Sequence, residues 1–212
     1  MTPSAVELLA RWDACWWSLG APAVDPREGR ALLARWAEPH RHYHTLQHLA
    51  ECLARFDRVR DRAEAPAACE LALWFHDAVY EPQRADNEAR SAELAEAAIG
   101  RAFGRLPRAA GLAATVRGLV LATQHAAAPA PGDAALVVDA DLGVLAAEPS
   151  RFDEYERQVQ QEYAWVPGLL YRAKRRAVLQ GFLDRERIFT SGAFDADEAR
   201  ARENLVRSLA RL

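Results

Sequence analysis

The chain has 212 residues, of which 50% are apolar and 27% charged, and its formal net charge is −3. This length favours a single domain, residues 1–212, with a sizeable core. The small net charge gives no electrostatic reason to expect a nucleic-acid or membrane partner, and no apolar run approaches the roughly 20 residues of a membrane-spanning helix. The N-terminal segment carries acidic residues and is unlike a signal peptide, so we expect a cytoplasmic protein.

The chain contains three cysteines, Cys15, Cys52 and Cys69, which form no recognised metal-binding or disulfide pattern. A cytoplasmic location keeps thiols reduced. We therefore interpret all three as reduced residues of the core.

Strand signals are almost absent, whereas Ala, Leu, Arg and Glu, which favour helices, occur throughout the sequence. Leu46, Leu49, Leu53 and Phe56 recur at helical spacing, and the segment that follows Pro66 is apolar on nearly all sides, which predicts a buried central helix. The predicted helices span residues 4–19, 27–38, 44–60, 66–80, 86–103, 107–125, 133–146, 150–164, 167–187 and 195–211. The expected fold class is therefore all-α, a single bundle of about ten helices.

The segment HRHYHTLQH, residues 40–48, contains four of the six histidines of the chain. His44 and His48 are four residues apart, so on the predicted helix they project from the same face, one turn apart. Two such imidazoles can share a metal ion, or one can bind the ion while the other acts on the substrate. The alternative interpretation is a histidine cluster at an exposed helix start.

The segment WFHDAVYEP, residues 74–82, places His76 and Asp77 inside the most apolar predicted helix. Burying an unpaired charge costs several kcal/mol, so this pair requires a compensating partner. A divalent cation is one such partner, and imidazole together with carboxylate suits Mn, Fe, Co, Ni or Zn. A salt-bridged core pair is the alternative.

A third polar pair, Asp139 and Asp141, interrupts the apolar segment LVVDADLGVL. Residues two apart on a helix diverge by about 200°, so both cannot face one ion. One aspartate should bind the ion, while the other should cap a helix or orient a ligand. Asp139 suits a helix N-cap, which leaves Asp141 as the better ligand candidate.

Together, these residues resemble the signature of the HD superfamily of metal-dependent phosphohydrolases: His48, the dipeptide His76-Asp77, and Asp141. The resemblance is closer to a subgroup of small bacterial proteins, which are described as predicted metal-dependent phosphohydrolases, and it covers most of residues 36–190. The segments that carry it are EPHRHYHTLQH, ALWFHDAVYEP, DNEARSA, VVDADLGVL and EYAWVPGLLYRAKRRAVLQGFLDRERIF.

The resemblance implies that the whole chain is one HD-type domain and a phosphoric ester hydrolase. It also implies one divalent ion (Mn, Fe, Co, Ni, Zn or Mg) bound by His48, His76, Asp77 and Asp141. Such an ion would polarise a phosphoryl oxygen and lower the pKa of a water molecule. The expected partner is a small phosphorylated substrate, nucleotides included, in the form of a phosphomonoester or phosphodiester; a homodimer is left open.

The YHxxxH arrangement is also similar to that of the cyclic-nucleotide phosphodiesterases. By that similarity His48 would bind the metal and His44 would be the general acid. The chain lacks a histidine four residues after His76-Asp77 and an obvious glutamine for reading a purine. We therefore expect phosphoester hydrolysis but not cyclic-nucleotide hydrolysis.

Three further residues are candidates for catalytic roles. Glu81 or Glu88 would act on the activated water. Arg172 would contact the phosphate, because a guanidinium can bind two oxygens at once, although a run of cations on a helix is usually a solvated face.

Each of the other three histidines has more than one possible role. His125 follows a predicted helix, where it is either an additional metal or phosphate contact or a cap of the helix C-terminus. For His40 and His42, we expect positions at the surface or hydrogen bonds to the groups around the site, in preference to a place in the lining of the pocket.

Two other function classes remain open. The same scaffold can hold two irons and catalyse oxidative cleavage, as in HD-type di-iron oxygenases, for which His125 is the spare imidazole. The second class is a non-catalytic sensor that binds a metal or a nucleotide.

Overall fold

The structure is a computed structural model that describes residues 3–22 and 24–212. Within these residues the chain forms ten α-helices and no β-strand, which confirms the all-α prediction. The helices are α1 (Ala5–Ser18), α2 (Pro26–Trp36), α3 (Leu46–Asp57), α4 (Pro66–Phe75), α5 (Asn87–Phe103), α6 (Arg108–Ala122), α7 (Asp133–Asp141), α8 (Pro149–Glu162), α9 (Gly168–Leu183) and α10 (Glu198–Leu209). Short 3-10 turns occupy Arg60–Arg62, Leu142–Ala146 and Asp195–Asp197.

Helix α4 is the centre of the molecule. All its residues from Ala68 to Phe75 are buried, and it packs against α1, α3, α5, α6 and α7. The one acidic residue among them, Glu70, is neutralised by Arg11, whose Nε lies 2.8 Å from the carboxylate. The prediction of a buried central helix is therefore confirmed.

The ends of two helices differ from the predictions in a way that affects the site. Thr45 caps α3, because its hydroxyl accepts a hydrogen bond from the backbone N–H of Gln47, and His44 therefore lies outside the helix. Helix α4 ends at Phe75, five residues before the predicted end, and the N–H of Ala78 turns back to its carbonyl. The His-Asp dipeptide thus follows the helix instead of lying inside it.

Among the described residues, no helix combines the length and the apolar character that a membrane crossing requires.

Candidate metal centre

Three helix ends bring four polar side chains together. His48 lies in the first turn of α3, His76 and Asp77 directly follow α4, and Asp141 is the last residue of α7. Nε2 of His48 lies 3.1 Å from Nε2 of His76 and 3.1 Å from Oδ1 of Asp141. Oδ2 of Asp77 lies 3.1 Å from Nε2 of His76 and 3.6 Å from Nε2 of His48. Four possible ligand atoms therefore lie close together.

The orientation of His76 follows from the helix that precedes it. The last carbonyls of an α-helix have no partner within the helix, and Nδ1 of His76 lies 2.8 Å from the carbonyl oxygen of Leu73, to which its N–H can donate. That hydrogen bond leaves Nε2 as the ring's free lone pair, directed at the cluster. The ring of Trp36 packs against His76 at a centroid distance of 5.4 Å and helps to exclude water.

The cluster is buried and strongly charged. Burial disfavours the protonated form of His76, but the carboxylates of Asp77 and Asp141 raise its pKa well above the ordinary value. Burial also opposes ionisation of Asp77, yet His76 and then His44 hold its pKa well below the usual range. For Asp141, burial is likewise outweighed by His76 and by hydrogen bonds from the histidines, and its pKa is lowered. The two carboxylates require nearby positive charge, which protons or a divalent cation supply.

Cys52, predicted from the sequence only as a residue of the core, is a fifth possible ligand. It lies one turn after His48 on α3, and its Sγ is 3.6 Å from Nδ1 and 3.7 Å from Nε2 of that ring. One ligand atom from each of Cys52, His48, His76 and Asp141 lies within 4.8 Å of the others, a grouping that could hold a metal ion. The spacing of four residues between His48 and Cys52 was a usable signal.

The two aspartates of the third motif have separate positions. Asp141 faces the cluster, whereas Asp139 is fully buried and accepts hydrogen bonds from the backbone N–H groups of Thr190 and Ser191 at 2.9 and 2.8 Å. The prediction that Asp139 caps its own helix is wrong, because α7 already begins at Asp133. Its carboxylate instead holds the backbone of the loop that follows α9 through these hydrogen bonds.

His44 reaches the site by a different route from the predicted helix face. Glu162, at the end of α8, accepts hydrogen bonds from the backbone N–H groups of His42, Tyr43 and His44 at 2.8, 2.8 and 3.0 Å. Its other oxygen lies 2.7 Å from Nδ1 of His44 and accepts a hydrogen bond from the hydroxyl of Tyr80 at 2.9 Å. The ring is thereby held with Nε2 4.0 Å from Oδ2 of Asp77.

Glu162 has five hydrogen-bond donors, and these stabilise its charge. Burial opposes its ionisation, but His44 and the backbone N–H groups lower the pKa of its carboxyl to about 2. The residue lies 118 positions from His44, and no local pattern connects the two. Its role was therefore not predictable from the sequence.

The cluster lies at the floor of a cavity of about 940 Å³. His44, Asp77 and Asp141 line this floor, and Glu88 and His125 line the adjoining wall. Further lining comes from cationic and aromatic side chains: Lys174, Arg175, Arg185, Tyr155, Tyr163 and Tyr171. The cavity therefore offers both positive charge and aromatic surface beside the possible metal ligands.

Of the two candidate acids, only Glu88 lines the cavity. Burial, and then the charge of Asp77, raise the pKa of Glu88. Glu81 is exposed, and its backbone N–H and carbonyl are hydrogen-bonded to the side chain of Asn87 at 3.1 and 3.0 Å. The geometry gives Glu81 no contact with the site.

The predicted phosphate contact, Arg172, is exposed and does not line the cavity. The residues of α9 that do line it include Tyr171, Lys174, Val178 and Gly181, which recur every three or four positions. Arg172 follows Tyr171 by one residue and therefore points about 100° away from this face. Lys174 and Arg185 occupy the positions from which a cation faces the cavity.

The remaining histidines have supporting contacts. His125 has a left-handed backbone, with a φ of 54°, and its Nε2 lies 3.0 Å from Oδ2 of Asp141. Such backbone strain in a non-glycine residue is typical of functional sites. Nε2 of His40 lies 2.7 Å from the carbonyl oxygen of Tyr80, and His42 is exposed and contributes only its backbone N–H to the network around Glu162.

The chain matches no protein-family model, no curated protein and no solved structure. What is established is therefore an all-helical fold with a buried group of His, Cys and Asp side chains that could hold a metal ion. The donor chemistry fits a divalent ion, since imidazole and carboxylate are ordinary ligands of first-row metals.

Proposed function

We propose that the protein is a metal-dependent phosphohydrolase of the HD type that cleaves a phosphomonoester or phosphodiester of a small metabolite, nucleotides included. One observation carries the proposal. The side chains of His48, His76, Asp77 and Asp141 lie close together, and two of them, Asp77 and Asp141, line a large cavity whose wall presents cations. A divalent ion held by these four residues supplies Lewis acidity toward a phosphoryl oxygen and a water molecule.

In this proposal His44 is the general acid. Its Nδ1–H donates to Glu162, so that Nε2 is the ring atom that carries a proton toward the cavity. Tyr80 stacks on the ring at a centroid distance of 4.0 Å and holds its plane. Glu162 is a positioning residue, because it acts through His44 and does not line the cavity.

Glu88, Lys174 and Arg185 complete the proposed site. Glu88 lines the cavity, and the raised pKa of its carboxyl makes it a stronger base toward a water molecule than an ordinary glutamate. Lys174 and Arg185 offset the negative charge of the phosphate, the role that the sequence analysis assigned to Arg172. The tyrosines of the wall pack against the non-phosphate part of the ester.

The test is a hydrolysis screen of the full chain, loaded in turn with Mn²⁺, Co²⁺, Zn²⁺ and Mg²⁺. Phosphate release is measured from phosphomonoesters, nucleoside mono-, di- and triphosphates, and phosphodiesters. We expect turnover with at least one ion and one ester class, and loss of this turnover in His44→Ala. A folded protein that binds the ion but is inert toward the whole panel would contradict the proposal and favour the sensor class.

One observation favours a second candidate, the di-iron oxygenase. Asp141 faces two ways: Oδ1 lies near His48 and His76, whereas Oδ2 lies 3.0 Å from His125. A carboxylate between two sets of imidazoles can bridge two metal ions. Metal analysis separates the candidates, because two irons per chain, reduced to one in His125→Ala, would support the oxygenase.

A further inference from the structure

Cys52 is placed as a ligand and not only as a filler of the core. Its side chain is 1% exposed, it shares one face of α3 with His48, and its Sγ belongs to the group of ligand atoms within 4.8 Å of one another. The other two cysteines lie outside this group: Sγ of Cys15 contacts the carbonyl oxygen of Ala67 at 3.6 Å, and Cys69 is buried in α4. The chain therefore has one thiol at the cluster and two ordinary core thiols.

The surroundings of the two core thiols support this distinction. Burial raises the pKa of Cys15 to about 12 and raises the pKa of Cys69 well above its usual range. Such thiols remain protonated and unreactive. Both are suited to packing, and neither has imidazole ligands within reach of its sulfur among the contacts of the described residues.

The cluster has two faces. Asp77 lines the large cavity, and Cys52 lines a second cavity of about 340 Å³ on another side of the cluster. Asp141 lines both cavities. His48, His76 and Asp141 thus form a common donor set, which Asp77 can complete from the large cavity and Cys52 from the small one.

We propose that the thiolate of Cys52 binds the metal ion, and that the site therefore takes a borderline ion such as Zn²⁺, Co²⁺ or Fe²⁺ in preference to Mg²⁺ or Mn²⁺. Thiolate ligands favour softer ions, whereas carboxylates favour harder ones. A softer ion recruits Cys52 to the common set, while a harder ion recruits Asp77. The proposal concerns the metal site of the proposed function, but it does not depend on any hydrolytic activity.

The separations in the cluster agree with ligation by sulfur. Two ligands on one tetrahedral zinc, at about 2.3 Å for sulfur and about 2.1 Å for nitrogen, lie roughly 3.6 Å apart. Sγ of Cys52 is 3.7 Å from Nε2 of His48, and the two Nε2 atoms of His48 and His76 are 3.1 Å apart. These side chains need only small movements to share one ion.

The first test is spectroscopic and uses the unaltered full chain. In the Zn²⁺-loaded protein, X-ray absorption should show one sulfur at about 2.3 Å in addition to nitrogen and oxygen. The Co²⁺-loaded protein should show a sulfur-to-cobalt charge-transfer band in the near ultraviolet. A shell of nitrogen and oxygen alone, with no such band, would overturn the proposal.

The second test compares matched variants by competitive metal titration. Loss of a group that only orients a metal ligand weakens binding by about 10- to 100-fold, and loss of a direct ligand should cost at least as much as the upper value. Cys52→Ala should therefore weaken Zn²⁺ binding by at least about 100-fold, while leaving Mn²⁺ binding unchanged. Cys69→Ala removes the same buried thiol elsewhere and should change neither affinity. Asp77→Asn should show the reverse pattern, with the larger loss for Mn²⁺.

Equal effects of Cys52→Ala on the two ions, or no effect on either, would contradict the assignment. If circular dichroism shows that this variant is unfolded, the spectra of the unaltered protein decide. The outcome is separable from that of the hydrolysis screen. A zinc–sulfur bond in a protein inert toward all esters would refute only the proposed function, whereas turnover with a sulfur-free shell would refute only the role of Cys52.

Discussion

His48 and His76, which contact the floor residues Asp77 and Asp141 of the large cavity, are 2% and 1% exposed. In contrast, Leu169, Leu170 and Val178 of α9, a helix that lines the cavity wall, are 78%, 48% and 49% exposed. The floor is anchored on α3, α4 and α7, which pack closely against one another, while α9 packs mainly against α10. The positions of the possible metal ligands are therefore determined by the core. The cavity wall formed by α9 is attached to the rest of the molecule more loosely.

The largest effect is expected at the floor. Replacement of His76 by Ala should abolish metal binding and all hydrolysis above background, because it removes a convergent ligand and leaves Asp77 and Asp141 facing each other without its charge. Metal content per chain measures this. His42→Ala, which alters an exposed histidine, should retain the ion; equal losses in both variants would mean that the floor is not the binding site.

The next effect separates metal binding from proton transfer. His44→Ala should lower kcat by about 10²- to 10⁴-fold, the usual contribution of a general acid or base, while metal content stays at the unaltered level. In a pH profile of kcat, the decrease on the high-pH side, where a general acid has lost its proton, should be absent in the same variant. Full activity of His44→Ala at neutral pH would refute the assignment of the general acid.

Glu162 connects the floor to α8, and its effect should depend on pH. The pKa of its carboxyl is lowered from 4.5 to about 2 in the folded protein, so the ionised form stabilises the fold above pH 4.5 and this stabilisation is lost as the pH falls toward 2. The linked free energy is roughly 3 kcal/mol. Glu162→Gln should lose stability of this order at neutral pH.

Chemical denaturation across this pH range measures the effect of Glu162. The difference in the free energy of unfolding between the unaltered protein and Glu162→Gln should shrink as the pH falls. Arg117, the partly exposed partner of Glu96, offers a control: Arg117→Gln removes a partly exposed ion pair and should leave the pH profile unchanged. A pH-independent difference for Glu162→Gln would contradict the role of the charge.

The smallest effect is expected on the α9 wall. Lys174→Ala should raise KM by about tenfold, because one charge-assisted hydrogen bond to a phosphate contributes about 1.5 kcal/mol or more, and kcat should change less. Arg172→Ala is the matched control on the same helix, since Arg172 points away from the cavity. If both variants raised KM equally, α9 would have to rotate when substrate binds.

Motifs in the sequence were sufficient to predict which helices and which side chains form the cluster at the floor of the cavity. The all-α class, the ten helices and the buried character of α4 followed from helical periodicity, because the side chains that recur at this spacing must share a buried face. His76, Asp77 and Asp141 were predicted because ionisable groups in apolar segments require a compensating partner, and His48 because it lies one helical turn from His44. The structure places all four together, with their role as ligands still a prediction.

Only the tertiary structure determined which side chains surround the four residues of the cluster. Glu162 and Lys174 are more than a hundred residues from His44 along the chain, and nothing near His44 in sequence indicates which distant side chain holds its ring. His44 was predicted inside a helix but precedes it, because Thr45 is the capping residue. Arg172 was predicted as a phosphate contact from its guanidinium chemistry alone, and the rotation of its helix directs it away from the cavity. Local patterns determine which residues are polar within a buried helix, but only packing between helices determines the distances over which they interact.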